Sequence, residues 1–362
     1  MGKINNISLN NFRNFSFCNL SFNKKSNVLF GNNGSGKTNI LESISLLGKG
    51  RGLRNSNISS LIHKNENNFL VSSEYEDNKN IFNIKIYPKL INEKYKKIIS
   101  INDDISKDAS INLNSSLSFL FFTPEMERLF ISSPNYRRNF IDKLIFSENK
   151  NYNKTINLYK KNLLERSKIL KINNYDSSWL ENIEKEISKI GLEIYRLRNR
   201  QLKILNENIK KINKNNKYPF EIIYEINDDF YSLSLEEDEY IEKLRINRMI
   251  DSKFGASKIG PHKSDFNSII NNNIDASQLS TGQQKTLVLM TLIAQCNYLV
   301  YSKNITPILL FDEICSHLDE INRKILLDLT DQFDIQFFFT GTEKSLFSFM
   351  STNVEFYNIT EI

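Results

Sequence analysis

The sequence has 362 residues, enough for one large domain and a smaller one. With 40% hydrophobic and 25% charged residues it has a globular balance and is too apolar for a disordered chain, while a net charge of +6 is only a weak pointer to a polyanionic partner because Asn, Lys and Ile are abundant throughout. No run approaches the roughly 18 to 20 apolar residues that cross a bilayer, and the opening MGKINNISLN lacks the apolar stretch of a signal peptide, so a cytoplasmic protein with no membrane partner is expected.

In chain order, the first residues read as strands: Ile4, Ile7 and Leu9, then Phe12, Phe15 and Phe17, are separated by polar residues, and Val28-Leu29-Phe30 is a short buried run. A glycine-rich turn follows, after which Ile40, Leu41, Ile44 and Leu47 fall at helical spacing. Between about 66 and 101 the segments FLVSSEY, IFNIKIY and KYKKIIS alternate as strands do, which predicts a β-rich sub-lobe. From about 125 to 250 the texture turns helical. Leu180, Ile183, Ile187, Ile190, Ile194 and Leu197 recur at spacings of three and four, and Leu202, Leu205, Ile209 and Ile212 continue the pattern after a phase slip, with Ser178 and Glu181 as a capping box at the start. Ile156, Tyr159, Leu163 and Leu164 mark an earlier helix and Asn173-Asn174 the turn between, so the pair reads as a short antiparallel arm or as two helices on a common core. From about 255 a mixed α/β texture returns: a helix from Gln283 to about Tyr298, a strand from Ile308 to Phe311, a helix near 320–331 and a final strand from Ile335 to Phe339. Cys18, Cys296 and Cys315 are odd in number and mostly far apart, which predicts reduced thiols, and the three histidines lack zinc-ligand spacing.

Gly31-Asn32-Asn33-Gly34-Ser35-Gly36-Lys37-Thr38 matches G-x-x-x-x-G-K-[ST] in full, between an apolar strand and a helix. In such a P-loop the glycines turn backbone N–H groups onto the phosphates of ATP, Lys37 reaches the β- and γ-phosphates and Thr38 offers a hydroxyl to Mg²⁺. Ile308-Leu309-Leu310-Phe311-Asp312-Glu313 is an apolar strand ending in two carboxylates. Asp312 is expected to hold the metal, and Glu313, on the opposite side of an extended chain, to polarise the attacking water, which makes Glu313 and Lys37 the catalytic candidates.

Leu279-Ser280-Thr281-Gly282-Gln283-Gln284-Lys285 resembles the signature motif of ABC ATPases, with Thr281 where transporters usually carry Gly. The resemblance implies that Ser280 and the N–H groups at Gly282 and Gln283 meet the γ-phosphate held on another protomer's P-loop, which requires an ATP-dependent homodimer. Ser316-His317-Leu318-Asp319 resembles the D-loop, and Thr340 occupies the place of a switch residue that senses the γ-phosphate.

With these motifs in order, the chain resembles the RecF family of bacterial recombination and replication-repair ATPases, related to SMC heads. Gly36-Lys37-Thr38-Asn39-Ile40-Leu41-Glu42, Phe122-Thr123-Pro124-Glu125, Ser133-Pro134-Asn135-Tyr136-Arg137-Arg138-Asn139-Phe140-Ile141-Asp142 and Gly260-Pro261-His262-Lys263-Ser264-Asp265-Phe266 carry the likeness, with Lys263 and Ser264 as departures; Lys263 keeps a charge but loses a planar fork. Arg51-Gly52-Leu53-Arg54 is a looser match. The implied fold is α/β: a split ABC-type, SMC-head-like P-loop ATPase domain with a β-rich sub-lobe (residues 1–124 and 255–362) and an inserted, mainly helical arm domain (125–254). The implied activity is weak, DNA-stimulated ATP hydrolysis with Mg²⁺, in a dimer that closes on double-stranded DNA near single-strand gaps and acts with RecR and RecO to load RecA. Arg137, Arg138, Arg196, Arg198, Arg200 and Lys203 are candidates for phosphate contact, and a solvated helix face explains the arm charges equally well. The rival class, another SMC-like repair or chromosome-structural ATPase, carries hundreds of residues of heptads, for which this chain is too short.

Overall fold

The structure is a computed structural model that describes residues 2–77, 80–172, 176–214, 217–271, 274–315, 318–350 and 353–362. It divides into two compact units: residues 1–128 with 280–362, and residues 129–279.

The first segment runs β1 (Lys3–Phe12), β2 (Phe15–Ser21), β3 (Ser26–Phe30), α1 (Lys37–Leu46), β4 (Leu70–Glu76), β5 (Ile81–Ile91), β6 (Lys94–Ile101), α2 (Lys107–Ser116) and β7 (Ser118–Phe122). Then come α3 (Pro134–Glu148), α4 (Tyr152–Ile169), α5 (Ser177–Ile212), β8 (Ile222–Asn227), α6 (Glu237–Ile246), α7 (Arg248–Phe254), β9 (Asp265–Ile270) and β10 (Ile274–Asp275). The last segment is α8 (Thr281–Asn297), β11 (Pro307–Phe311), α9 (Glu320–Gln332), β12 (Phe337–Gly341) and β13 (Val354–Asn358).

In the first unit, β2-β1-β4-β5-β6 form an antiparallel sheet, the expected β-rich sub-lobe. Its strands bury alternate residues, Phe82, Ile84 and Ile86 on β5 for example, because successive side chains of a strand point to opposite faces. Asn92 and Glu93, both at positive φ, close the β5–β6 hairpin in two residues. The second sheet, β13-β3-β12-β11-β7, is parallel throughout, and β11 and β12 are buried along their whole length, as strands covered on both faces must be. Gln336, fully buried, accepts the Ile4 N–H at 2.7 Å and donates to the Ile4 carbonyl at 2.9 Å, tying the two sheets together where the β1–β4 register shifts. Lys97 on β6 donates to the carbonyls of Leu46 and Gly48, both at 3.0 Å, and so caps the C-terminal end of α1. The strand ending at Phe339 is not the last, since β13 follows and pairs with β3.

In the second unit α4 and α5 run antiparallel: Arg166 meets Glu184, and two turns earlier on α4 Tyr159 meets Gly191, two turns later on α5. Their apolar faces share a core with Tyr240 and Leu244 of α6, while Leu164, one of the residues that mark α4 in the sequence, is 65% exposed. The predicted phase slip does not break the helix. α5 is continuous over 36 residues. Its cap is Asp176, whose carboxylate accepts from the N–H groups of Ser178 and Trp179, so Ser178 and Glu181 form no capping box. The expected turn Asn173-Asn174 lies outside the described residues. β8, β9 and β10 form a small antiparallel sheet, and residues 255–279, expected with the ATPase segments, fall in this unit because β9 pairs with β8. Among the described residues no helix is long and apolar enough to cross a membrane. The three cysteines are buried and unpaired.

Candidate functional site

β3, β11 and β12 lie side by side in parallel, so the turns after their carboxyl ends converge on one edge of the sheet, where α/β folds bind ligands. The loop after β3 turns into α1 through Gly36, which sits at φ 108 as the helix N-cap. A Cβ there would come within 2.7 Å of Asn14 Nδ2 and Phe15 Cε2, so both conformation and space demand glycine. Ser35 N–H closes the turn on Asn32 O at 3.2 Å, and the crest Asn32-Asn33-Gly34 faces solvent. Lys37, 5% exposed, folds its ammonium onto the loop, donating to Gly31 O at 2.7 Å and Asn32 O at 2.8 Å. Burial lowers its pKa, and Glu313 and Asp312 pull the other way. Ser35 Oγ is buried with no hydrogen-bond partner among the described residues. A buried hydroxyl left over in a glycine-turned loop fits an incoming phosphate oxygen.

The sheet register places Phe311 beside Phe339, and therefore Asp312 beside Thr340. Thr38 Oγ1 and Thr340 Oγ1 both donate to Asp312 Oδ1, each at 2.8 Å. Thr38 Oγ1 and Asp312 Oδ1 are the all-oxygen pair that a hard cation such as Mg²⁺ takes together with phosphate oxygens and water. The next residue, Glu313, is exposed and held at φ 51, a conformation uncommon outside glycine; its N–H donates to Thr340 Oγ1 at 2.8 Å. Thr340 is fully buried and spends its hydroxyl on these two neighbours, so it acts on the site through Asp312 and Glu313.

Ser280 is the N-cap of α8. Its hydroxyl accepts the Gln283 N–H at 3.3 Å, and Gln283 Oε1 accepts the Ser280 N–H at 3.0 Å, a reciprocal capping box on an exposed edge. Gly282 O accepts from Thr286 Oγ1 at 3.1 Å and from Asn322 Nδ2 at 3.3 Å. Of the expected D-loop, Ser316 and His317 lie outside the described residues; Leu318 is buried, and Asp319 caps α9 by accepting the Asn322 N–H at 2.8 Å.

The two family-like stretches of the second unit meet each other. Arg137 pairs with Asp265 at 2.5 and 2.7 Å, and Arg138 donates to Ser264 O at 2.6 Å. Arg198, its side chain 4% exposed, makes a two-bond fork with Asp142 at 2.9 Å and reaches Pro261 O and Ser264 Oγ. Arg137 and Arg198, candidates for phosphate contact from sequence, thus hold this unit together. Arg196, Arg200 and Lys203 are exposed, Arg200 lying 3.7 Å from Glu148.

Two neighbours of the loop carry no motif of their own. Asn14, in the β1–β2 turn, donates to Ser35 O at 3.1 Å and accepts from Asn39 at 2.6 Å. Thr360, near the end of the chain, accepts the Asn32 N–H at 2.9 Å.

Known proteins resemble this chain along nearly its whole length. Residues 3–117 match the model of the RecF/RecN/SMC N terminal domain. A DNA replication and repair protein RecF from Rickettsia typhi is 32% identical over 346 residues, 94% of each chain, and one from Rhizobium rhizogenes is 29% identical over 364 residues, 98% of this chain and 96% of the relative. A solved structure described as the recombination mediator protein RecF-ATPrS in the RecFOR pathway superposes with a TM-score of 0.83 at 27% identity, covering 99% of this chain and 97% of the other. The Smc head domain of Pyrococcus furiosus, at 18% identity and a TM-score of 0.53 with 99% and 94% coverage, shares the fold. An ABC-type, SMC-head-like ATPase fold that carries these motifs, and relatives of this identity and coverage, place the chain in the RecF family.

Proposed function

We propose that this chain is an ATP-binding DNA repair ATPase that works as a homodimer. One observation carries the reading: the ends of three adjacent parallel strands gather Lys37, Thr38, Asp312 and Thr340 under a glycine-turned loop, with the exposed Glu313 held next to them. Gly31, Asn32, Asn33, Gly34, Ser35 and Gly36 form the phosphate cradle, and Lys37 swings from the loop carbonyls to the β- and γ-phosphates of ATP. Thr38 and Asp312 hold the Mg²⁺, which when bound neutralises charge on the phosphate oxygens. Glu313 takes a proton from the attacking water. Ser280, Gly282 and Gln283 of a second copy face the γ-phosphate, so hydrolysis needs the dimer, and the weak, DNA-stimulated activity serves as a switch. The solved relatives described with ATP and ATPrS in the RecFOR pathway support nucleotide binding and a place beside RecR and RecO, and in this reading the protein helps them load RecA. The dimer closes on double-stranded DNA near single-strand gaps through phosphates, with Arg196, Arg200 and Lys203 as the exposed cations left in the candidate set. The ATPase unit and the inserted helical unit form separate working lobes, and the protein acts in the cytoplasm.

The test is to measure dimerisation and ATPase activity with ATP alone and with duplex, single-stranded or gapped DNA. Glu313→Gln is expected to trap an ATP-bound dimer, and Ser280→Arg to bind ATP as a monomer. A Glu313→Gln protein that stays monomeric at saturating ATP, or a Ser280→Arg protein unable to bind nucleotide, refutes the assigned roles.

A further inference from the structure

The peptide unit joining Gly31 to Asn32 is held from two sides. Its carbonyl accepts from Lys37 Nζ at 2.7 Å, and its N–H donates to Thr360 Oγ1 at 2.9 Å. Both bonds belong to one rigid plane, so the Thr360 hydroxyl fixes the rotation of that plane and with it the direction of the Gly31 carbonyl. Contact between loop and turn is close: a Cβ on Gly31 would lie 2.5 Å from Thr360 Oγ1 and 3.1 Å from Thr360 N. The turn that carries Thr360 is itself anchored. β13 pairs with β3 so that Asn358 lies opposite Phe30, Asn358 Oδ1 accepts the Thr360 N–H at 3.2 Å, and Ile359, 2% exposed, belongs to the core cluster that includes Ile40 and Leu41 of α1.

We propose that Thr360 is a positioning residue of the nucleotide site, its hydroxyl orienting the Gly31–Asn32 peptide so that the loop keeps its curvature when Lys37 leaves the loop carbonyls for a phosphate. The need arises from Gly31 itself. It sits at φ 147, where a glycine peptide rotates at little cost, and once the ammonium departs the Thr360 hydroxyl is the bond that still holds the plane. A loop that keeps its shape binds phosphate without an ordering cost, and this gain appears as affinity. The proposal rests on reading Gly31–Thr38 as a phosphate-binding loop.

The test compares the full chain with Thr360→Val, which keeps the shape and removes the acceptor, with Thr360→Ser, which restores it, and with Lys37→Ala. Fluorescent ATP-analogue binding, thermal melting and amide exchange at Asn32 are measured on each. Loss of one hydrogen bond predicts nucleotide affinity about three- to tenfold weaker in Thr360→Val and close to the parent in Thr360→Ser, with Asn32 exchanging faster in the nucleotide-free Val variant alone. Parent-like binding by Thr360→Val, or an equal loss in the Ser and Val variants, overturns the proposal. Should the parent bind no nucleotide and match Lys37→Ala, the phosphate-loop reading fails and this proposal falls with it; parent binding that Lys37→Ala abolishes isolates a failure to Thr360.

Discussion

Replacing Thr340 with valine removes the most heavily used hydroxyl of the site without changing side-chain shape. Thr340 is fully buried, donates to Asp312 Oδ1 at 2.8 Å and accepts the Glu313 N–H at 2.8 Å. Valine removes the acceptor of that N–H, at about 1–3 kcal/mol, and deletes a hydrogen bond to a charged group, worth about 1.5–3 kcal/mol. Part of the loss returns as Glu313, held at φ 51, relaxes from a conformation that costs on the order of 1–3 kcal/mol. The net expectation is a destabilisation of about 2–4 kcal/mol, which lowers Tm by roughly 5–15 °C for a unit of this size. Because the same relaxation moves Glu313 while leaving Lys37 and its loop in place, kcat for ATP hydrolysis falls more than tenfold, on the order of the loss for a displaced general base, and nucleotide affinity changes little. Thermal melting and steady-state kinetics that separate kcat from KM read both effects, and Thr340→Ser recovers them. A valine variant that melts within about 2 °C of the parent and turns over at the parent rate refutes the reasoning.

Arg166 is 1% exposed and bonds Glu184 Oε1 at 2.9 Å, Asp251 Oδ2 at 2.7 Å and Leu244 O at 2.8 Å, so Arg166→Met takes the cation from buried Asp251, leaves Glu184 to Arg248, and is expected to cost about 3–5 kcal/mol in denaturant unfolding; a loss below about 1 kcal/mol contradicts this. Burial lowers the His262 pKa to about 4, and the neutral ring accepts from Tyr159 at 3.0 Å while donating to Ser257 O at 2.9 Å. Since an unfolded histidine titrates near 6.5, this contribution is complete above about pH 6.5 and is lost as pH falls toward 4, by up to about 3 kcal/mol; stability measured over that window flattens in His262→Gln, and an unchanged profile refutes the assignment. Arg198→Leu is expected to lower Tm by removing the fork on Asp142 while leaving the salt dependence of duplex binding unchanged, and a slope shallower by about one unit instead identifies Arg198 as a phosphate contact.

Strand, loop and helix around Lys37, and the carboxylates after Phe311, were legible because each is a local pattern: an apolar run, glycines at fixed spacing, then an apolar face of period three to four. What was not legible depends on partners distant in sequence. Arg137 and Arg198 look like free cations along the chain, and only the fold supplies Asp265 and Asp142 to consume them. Asp176, Ser177 and Ser178 are all capping residues by type; Asp176 prevails because its carboxylate accepts two N–H groups. β7, with the sequence SFLFF, and β13, with VEFYN, are five-residue strands without alternation, and their pairing with β11 and β3 is what makes them strands. Thr360 carries no local signal, and its role arises from β13 running beside β3.

The geometry at Ser280 bears on why the proposed dimer depends on nucleotide. In the isolated subunit the Ser280 hydroxyl and the Gln283 N–H satisfy each other, and the Gln283 side chain satisfies the Ser280 N–H, so this edge loses little by facing water. Presenting the same groups to a second protein surface without an anion would exchange neutral hydrogen bonds for neutral ones and yield almost no free energy. Presenting them to a triphosphate exchanges neutral bonds for charge-assisted ones, roughly twice as strong, at the positive end of a 17-residue helix. The gain therefore appears only when the facing loop carries its γ-phosphate, and it vanishes on hydrolysis. Association gated in this way needs no rearrangement of α8: the capping box is the resting state of the edge, and the anion takes the place of its acceptors on the same N–H donors.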